Sequence, residues 1–502
     1  MSIADSFTAL QTELNQQLVP ELMAQLQTAL QEGAPVHVVE TQLWTWLLQT
    51  GNRVFAAFLD SHGTGDQGET LTLPDGQELR RLPKIHSRPY VSIFGKFLLQ
   101  RTVYGTREGQ TIGFTPLDNR LQLPDSDFSY LLQDWDQSLA MEQAFSQVDK
   151  TMARILHLDQ HVDSLESMNR QMAQNVSVFR ELQPTPPPAE EGTIVVATAD
   201  GKGIVIRGQG TPTVCGGHRP GNKRANQKRM ATVGAVYTVD PHVRTPKEVV
   251  AALFRDPDQQ PSQRPKPCHK RVWASLPQTV PEPQSSIDVV FGWLQTEVMD
   301  RNPRQQRPTV YVHDGQEALW QARAEYLPDE NSVEVLDLLH VTPRLWEAGK
   351  LLHGERSKKM EAFVRKTVLQ VLSGKVETVI RGFRRLMRER RLNRAKKRKM
   401  QTIGRYLSKN RERMKYDEYL RKGYPIASGV IEGACRHLIK DRMERAGMHW
   451  TVEGAQAMLN VRSVWLNGQW QEYQTYRIDC ETRRLYPHKE LVAGEAFFAL
   501  GV

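Results

Sequence analysis

The sequence predicts a mixed α/β core set among helical segments. Three observations carry this. Runs of β-branched residues recur between residues 193 and 339, helical periodicity dominates before and after them, and a Pro-rich break, "LQPTPPPAEEGT", separates the first helical part from the strands. The runs are "TIVVATA", "GIVIRG", "MATVGAVYTV", "TVYVHD" and "VEVLDLL". Three strands close together, then helix, strand, helix and strand, describe a mixed sheet flanked by helices.

Each segment follows in order. Phe7, Leu10, Leu14, Leu18, Leu22, Leu26 and Leu30 recur at helical spacing, with Pro20 set to kink or divide the pattern. A second helix carries Val39, Leu43, Trp46, Leu47, Val54 and Phe58. "DSHGTGDQGETLTLPDGQE" reads as loop, and "YVSIFGKFLLQRTVYG" as a hairpin. A helix over about 138–158, the turn "DQHV" and a helix capped by Ser164 through Phe179 have helix-turn-helix spacing, which is equally that of any helical hairpin. Pro184–Glu191 forms a stiff boundary. Residues 240–285 are Pro-rich and read as an insertion. From Pro343 to about Gly423 the chain is helical and basic, with Phe363, Val364, Val368, Val371, Val376, Val379, Phe383 and Leu386 as its apolar stripe. A last helical stretch spans 427–465, and the tail beyond 470 gives no readable pattern. The expected organisation is a helical region over 1–65 and a hairpin and helix-turn-helix-like DNA-binding region over 80–183. The core occupies 190–342 and 425–470, with a basic helical insertion at 343–424 and a tail from 471.

Charge is distributed unevenly. The chain of 502 residues carries a net charge of +9. Between Arg381 and Lys422 there are 18 Lys or Arg against four acids, a local +14 that leaves −5 on the rest. So local a positive field is that of a nucleic-acid contact surface, where phosphate neutralisation supplies the affinity; the alternative is a solvated basic helix. Arg384, Arg385, Arg388, Arg391, Arg394, Lys396, Lys397, Arg398 and Lys399 are the candidate contacts there. Lys223, Arg224, Lys228 and Arg229, in the Gly/Asn loop "HRPGNKRANQKR", are further candidates. No apolar run approaches the roughly 20 residues of a bilayer span, and no secretory signal opens the chain. Four scattered cysteines make no disulfide framework and fit a reducing cytoplasm.

Three acids stand out. Asp200 closes "TIVVATAD", Asp314 closes "TVYVHD", and Glu432 lies in the first turns of "SGVIEGACRHLIKDRMERAGMHW". First and fourth strands side by side would bring the two aspartates to one edge. A buried anion is costly alone, and hard carboxylate oxygens suit Mg²⁺. Two ions roughly 4 Å apart stabilise the attacking and leaving oxygens of phosphodiester cleavage. Each acid also has an ordinary reading, as a turn residue or a helix-start acid favoured by the dipole. Arg436 and Lys440 follow Glu432 on a basic face. Glu444 is a rival ligand, lying further from the helix start. "CGGH" (Cys215, His218) with "CH" (Cys268, His269) could supply four zinc ligands, though not at a standard spacing. Trp450 reads as core before it reads as a wedge against a flipped base.

At "ATADGKGI", "VYVHDGQEALW", "VLDLLHVTPRLWEAGKLLHG" and "YPIASGVIEGACRHLIKDRMERAGMHW" the chain resembles DDE transposases of bacterial insertion sequences, most closely the ISKra type. The resemblance covers about residues 90–490. It implies an RNase H-like core with Asp200, Asp314 and Glu432 as the catalytic and metal-binding triad, holding two Mg²⁺ that Mn²⁺ can replace. Asp337 and His340 look like a supporting Asp-x-x-His motif, with Lys440 as a further supporting residue. The implied partners are terminal inverted repeats and target DNA, and the implied assembly is a homo-oligomeric synaptic complex in the cytoplasm, nucleoid-associated when bound to DNA, with no membrane. The alternatives are a structure-specific nuclease on the same fold, which cuts without joining, and a DNA-binding relative without catalysis.

Overall fold

The structure is a computed structural model. It describes residues 3–492 apart from 107–111, 208–225, 258–262, 279–282, 330, 391 and 446. The chain divides into two compact units, Val176–Gln469, and Met1–Asn175 together with Trp470–Val502.

The unit Val176–Gln469 is built on a five-stranded mixed sheet. Its strands, in chain order, are Ile194–Arg207, Asn226–Val239, Cys268–Ser275, Thr309–His313 and Val333–Leu336. Their spatial order is fifth, fourth, first, second, third. The first, second and third strands are antiparallel neighbours, and the fourth and fifth add on in parallel. The expected adjacency of first and fourth strands is present, with Ala199 opposite His313.

Two expectations change. "TIVVATA" and "GIVIRG" form one strand of 14 residues, so Asp200 lies inside a strand and does not end it. The intervening glycines signalled a turn, but Asp200 to Gly203 stay paired to Val233 through Met230. The Pro-rich stretch 240–285 is no mere insertion. It contributes helix Pro246–Phe254, opened by a Thr245–Glu248 capping box, and the third strand.

Side chains alternate across the first strand, as strand geometry requires. Val195, Ala197 and Ala199 pack with Trp273, Tyr311 and helices Ser286–Arg301 and Glu317–Tyr326. Ile194 and Val196 face the other way, with Val310 and Val312, into a core shared with helices Leu338–His353, Lys358–Leu372, Val376–Glu389 and Arg394–Lys409. Asp200 falls on this second face by the same alternation. Basic helices and catalytic candidates therefore belong to one side of the sheet.

The other unit holds helices Ile3–Glu13, Val19–Glu32 and Val36–Ser61, with Pro20 in the first turn of the second and a π-helical turn, Leu14–Leu18, before it. That placement resolves the Pro20 interruption, since proline is tolerated where its missing N–H has no partner to lose. The predicted hairpin is His86–Ser92 with Gly95–Arg101. The two helices expected over 138–179 are four shorter ones: Tyr130–Glu142, Phe145–Leu156, Val162–Ala173 and Val176–Glu181, the last belonging to the sheet unit. Ser164 sits inside the third, whose N-cap position is His161. The tail forms helix Trp470–Leu485, and its Tyr473 hydroxyl donates to the Met172 carbonyl.

Candidate metal-dependent active site

The acids gather at the sheet edge where the fourth and fifth strands end. Asp200 lies one residue past the Ala199–His313 register, and Asp314 follows His313. Asp337 follows Leu336, which is opposite His313 on the fifth strand, and the Asp337 N–H donates to the His313 carbonyl at 2.8 Å. Three neighbouring strands thus present an aspartate at one level.

Local structure fixes each. Asp314 accepts from the Gln316 N–H at 2.7 Å, which turns the chain into the next helix, and the Trp320 indole donates to the Asp314 carbonyl at 2.7 Å. Behind it, His313 is fully buried and accepts at Nδ1 from the Ala199 N–H at 3.0 Å. Burial lowers the His313 pKa to about 4, so the ring is neutral at physiological pH. Asp337 is buried and caps helix Leu338–His353 through the Leu339 N–H at 2.8 Å. Its other oxygen accepts from the Ser428 hydroxyl. Ser428 occupies the N-cap position of helix Gly429–Ala434 but gives its hydroxyl to Asp337, so the link ties the Glu432 helix to the fifth strand.

Glu432 is on that helix, which runs on through a π-helical stretch, Cys435–Lys440. Such irregular turns re-aim side chains and are frequent at functional sites. Cys435, three residues after Glu432, places its thiol 3.7 Å from Asp200 Oδ2. The pair at i and i+3 sets the Glu432 face of the helix towards Asp200.

The acids interact electrostatically. Burial raises the Asp314 carboxyl above its usual range, and the Asp200 charge adds to this, opposed by the Gln316 N–H and by the neighbouring His340 and Arg344. Glu432, exposed at its helix, is raised by partial desolvation, with the charges of Asp337 and Asp200 adding and His340 opposing. Burial and the Asp200 charge push the Cys435 thiol well up, so it is protonated. Asp200 is therefore the hub that both other acids feel. Among the described residues, no group of three or more His, Cys, Asp or Glu is drawn tightly enough to hold an ion.

The remaining candidates separate clearly. His340 is half-buried beside the acids. Lys440 is exposed, and Arg436 is exposed and pairs with Asp441 at 3.5 Å. Arg384, Arg385, Arg388, Arg394, Lys396, Lys397, Arg398 and Lys399 are all exposed on helices Val376–Glu389 and Arg394–Lys409. Lys228 and Arg229 are exposed on the second strand, opposite Val205 and Ile204. Lys223, Arg224 and Arg391 lie outside the described residues, as do Cys215 and His218 of the zinc reading. Of its other half, His269 faces Glu190 at 3.5 Å. Glu444 faces Lys202 at 3.7 Å, which gives it a structural partner. Trp450 is buried and its backbone pairs with Val205 and Arg207, so it is core.

Sequence reasoning missed Tyr406 and Gly315. The Tyr406 ring lies against Gly315, where a Cβ would overlap it. The glycine after Asp314 is thus required by close approach of the basic helix Arg394–Lys409. Lys409 of the same helix pairs with Glu317 at 2.6 Å. No residue type in isolation signals such a contact.

No family model matches the chain, and no curated protein matches it. Among solved structures it is similar to the "Drosophila P element transposase strand transfer complex", with a TM-score of 0.24 and 8% identity over 74% of this chain and 88% of that one. A likeness so slight bears on neither fold nor function. No described helix is long and apolar enough to cross a membrane.

Proposed function

We propose that the chain is a DNA transposase with an RNase H-like core, which cuts and joins phosphodiester bonds by a metal-dependent mechanism using Asp200, Asp314 and Glu432. One observation carries this reading. Asp200, Asp314 and Asp337 lie at one level of three neighbouring strands, the Glu432 helix is tied to Asp337 through Ser428, and none of the four acids has an ion-pair partner among the described residues. Asp337 is buried, Asp200 and Asp314 are half-buried and Glu432 is exposed; like charges set near one another in this way are relieved when a cation from outside neutralises them. The donor set is hard oxygen throughout, which fits Mg²⁺ or Mn²⁺ and not a soft metal. Asp200, Asp314 and Glu432 would hold the ions. When bound, they supply Lewis-acid stabilisation of the attacking and leaving oxygens.

The chain's own residues do the rest. Asp337 and Ser428 fix the Glu432 helix against the fifth strand. The sheet register sets Asp200 beside Asp314. The exposed cations of the helices on the same side of the sheet grip the phosphate backbone and hold a strand against the edge. A freed 3′-hydroxyl then attacks target DNA.

The test uses the DNA flanking the gene. A pre-cleaved end from that DNA, incubated with the full chain, Mg²⁺ and a target plasmid, is expected to yield strand-transfer product. Cutting without joining would make the protein a structure-specific nuclease. End binding with neither reaction would make it a DNA-binding protein without catalysis.

A further inference from the structure

Helix Leu338–His353 carries a cation that the reading above leaves unused. Arg344 comes one turn after His340 and stacks on Tyr406, with its guanidinium carbon 3.6 Å from the ring centroid. Tyr406 in turn rests against Gly315, next to Asp314. Arg344 is half-buried, and its positive charge is felt at Asp314.

Three other stacked arginines of the sheet unit are neutralised by ion pairs. Arg323 lies over Tyr311 and pairs with Glu334 at 3.3 Å. Arg413 lies over Trp320 and pairs with Glu334 at 2.6 Å. Arg365 lies over Phe254 and pairs with Asp256. Unlike these three, Arg344 has no ion-pair partner among the described residues, its buried Nε has no hydrogen-bond partner, and it alone of them lies close enough to Asp314 for its charge to act there. A half-buried guanidinium stacked on an aromatic ring has terminal N–H groups suited to a planar or tetrahedral anion.

We propose that Arg344 is a phosphate-binding residue of the acidic edge, its guanidinium oriented by Tyr406 to take non-bridging oxygens of the DNA backbone beside the bond that is cut. The inference rests on the nucleic-acid reading above and deepens it. The acids cannot bind a phosphate themselves, and a bidentate arginine supplies the matching donors. Tyr406 also connects the basic helix to the loop after Asp314, so grip on the backbone and position at the edge are set by one contact.

The test uses the full chain and a short fluorescent DNA duplex of fixed sequence, with Ca²⁺ present. Binding is measured across a salt series, and arginine labelling by phenylglyoxal is mapped by mass spectrometry. Arg344→Ala is expected to weaken binding about tenfold and to lower the salt slope by about one. Arg344→Lys should keep the slope and recover only part of the affinity. Tyr406→Leu should fall between wild type and Arg344→Ala. Duplex should block labelling at Arg344. An Arg344→Ala variant with wild-type affinity and slope, or labelling at Arg344 that duplex leaves unchanged, would overturn the proposal. Should Arg344→Ala fold poorly, the lysine variant and the labelling decide. Neither readout needs cutting. Wild-type protein that binds and protects Arg344 but never nicks DNA would sink the enzymatic reading and leave this one standing.

Discussion

Two ends of one sheet handle carboxylates in opposite ways. At the start of the first strand, Glu191 has a fully buried side chain that pairs with Arg307 at 2.8 Å and Arg301 at 3.5 Å. Arg301 also bonds Glu297 at 3.2 Å, and Arg271 pairs with Glu297 at 3.0 Å, so each carboxylate of the cluster has its guanidinium. At the other end, Asp200, Asp314 and Asp337, with Glu432 on the helix tied to Asp337, have no paired guanidinium among the described residues. A carboxylate kept for stability is given its counter-charge by the fold. A carboxylate left with like charges is kept for something the fold does not supply.

The comparison breaks first if the acidic end proves ornamental. Asp314→Asn and Glu432→Gln are each expected to lower metal-dependent cutting by at least about a thousandfold, roughly 4 kcal/mol of transition-state stabilisation. Duplex affinity should stay within a fewfold of wild type. The same variants should melt at or above the wild-type temperature, because they relieve repulsion. A plasmid-nicking time course and a melting curve read both effects.

Glu191→Gln is the converse. It removes the buried carboxylate between Arg301 and Arg307, leaving Arg301 only Glu297, and should destabilise the sheet unit by about 3 kcal/mol, measured by urea unfolding. A neutral result would mean that the buried cluster is not what holds the strand entrance.

A third buried acid sharpens the contrast. Asp136 in helix Tyr130–Glu142 is fully buried and receives a hydrogen bond from the Gln160 amide at 2.9 Å, with no ion-pair partner among the described residues. Burial raises its pKa to about 7, with the Asp149 charge adding and the Gln160 bond opposing. The folded state therefore holds the proton more tightly than the unfolded state. Its stabilising contribution is complete below about pH 4 and is lost as pH rises through about 7, an effect of at most a few kcal/mol. Asp136→Asn should flatten the pH dependence of unfolding over that range. An unchanged pH profile would contradict the assignment.

The smallest effects belong to the exposed helix cations. Replacing Arg384, Arg385 and Arg388 together by Ala should reduce the salt slope of duplex binding by about 0.9 for each phosphate that is no longer neutralised, with little change in stability. Equal slopes would remove these residues from the interface.

What is legible in the sequence follows the same physics. The inner strands are legible because both faces are buried, which produces uninterrupted β-branched runs such as "TIVVATA". The third strand is not, since its first half is largely exposed and reads as the polar stretch "CHKR". Asp200 stands out for the right reason, a charge in a buried run, but its glycine neighbours suggest a turn where the strand continues past its shorter parallel partner. Helix Trp470–Leu485 buries Gln474 and Arg477 alongside Tyr473, so it shows no apolar stripe. Arg344 and Tyr406 are ordinary residues in sequence and acquire meaning only by meeting at Gly315.

The central claim is that the unpaired acids await a divalent cation. The most direct measurement is a Mn²⁺ titration of the full-length protein, followed by electron paramagnetic resonance of the free ion, for the wild type and for Asp200→Ala. The account predicts saturable Mn²⁺ binding by the wild type, competed by Mg²⁺ and lost in Asp200→Ala. Wild-type binding that persists undiminished in Asp200→Ala, or no binding by either, would contradict it.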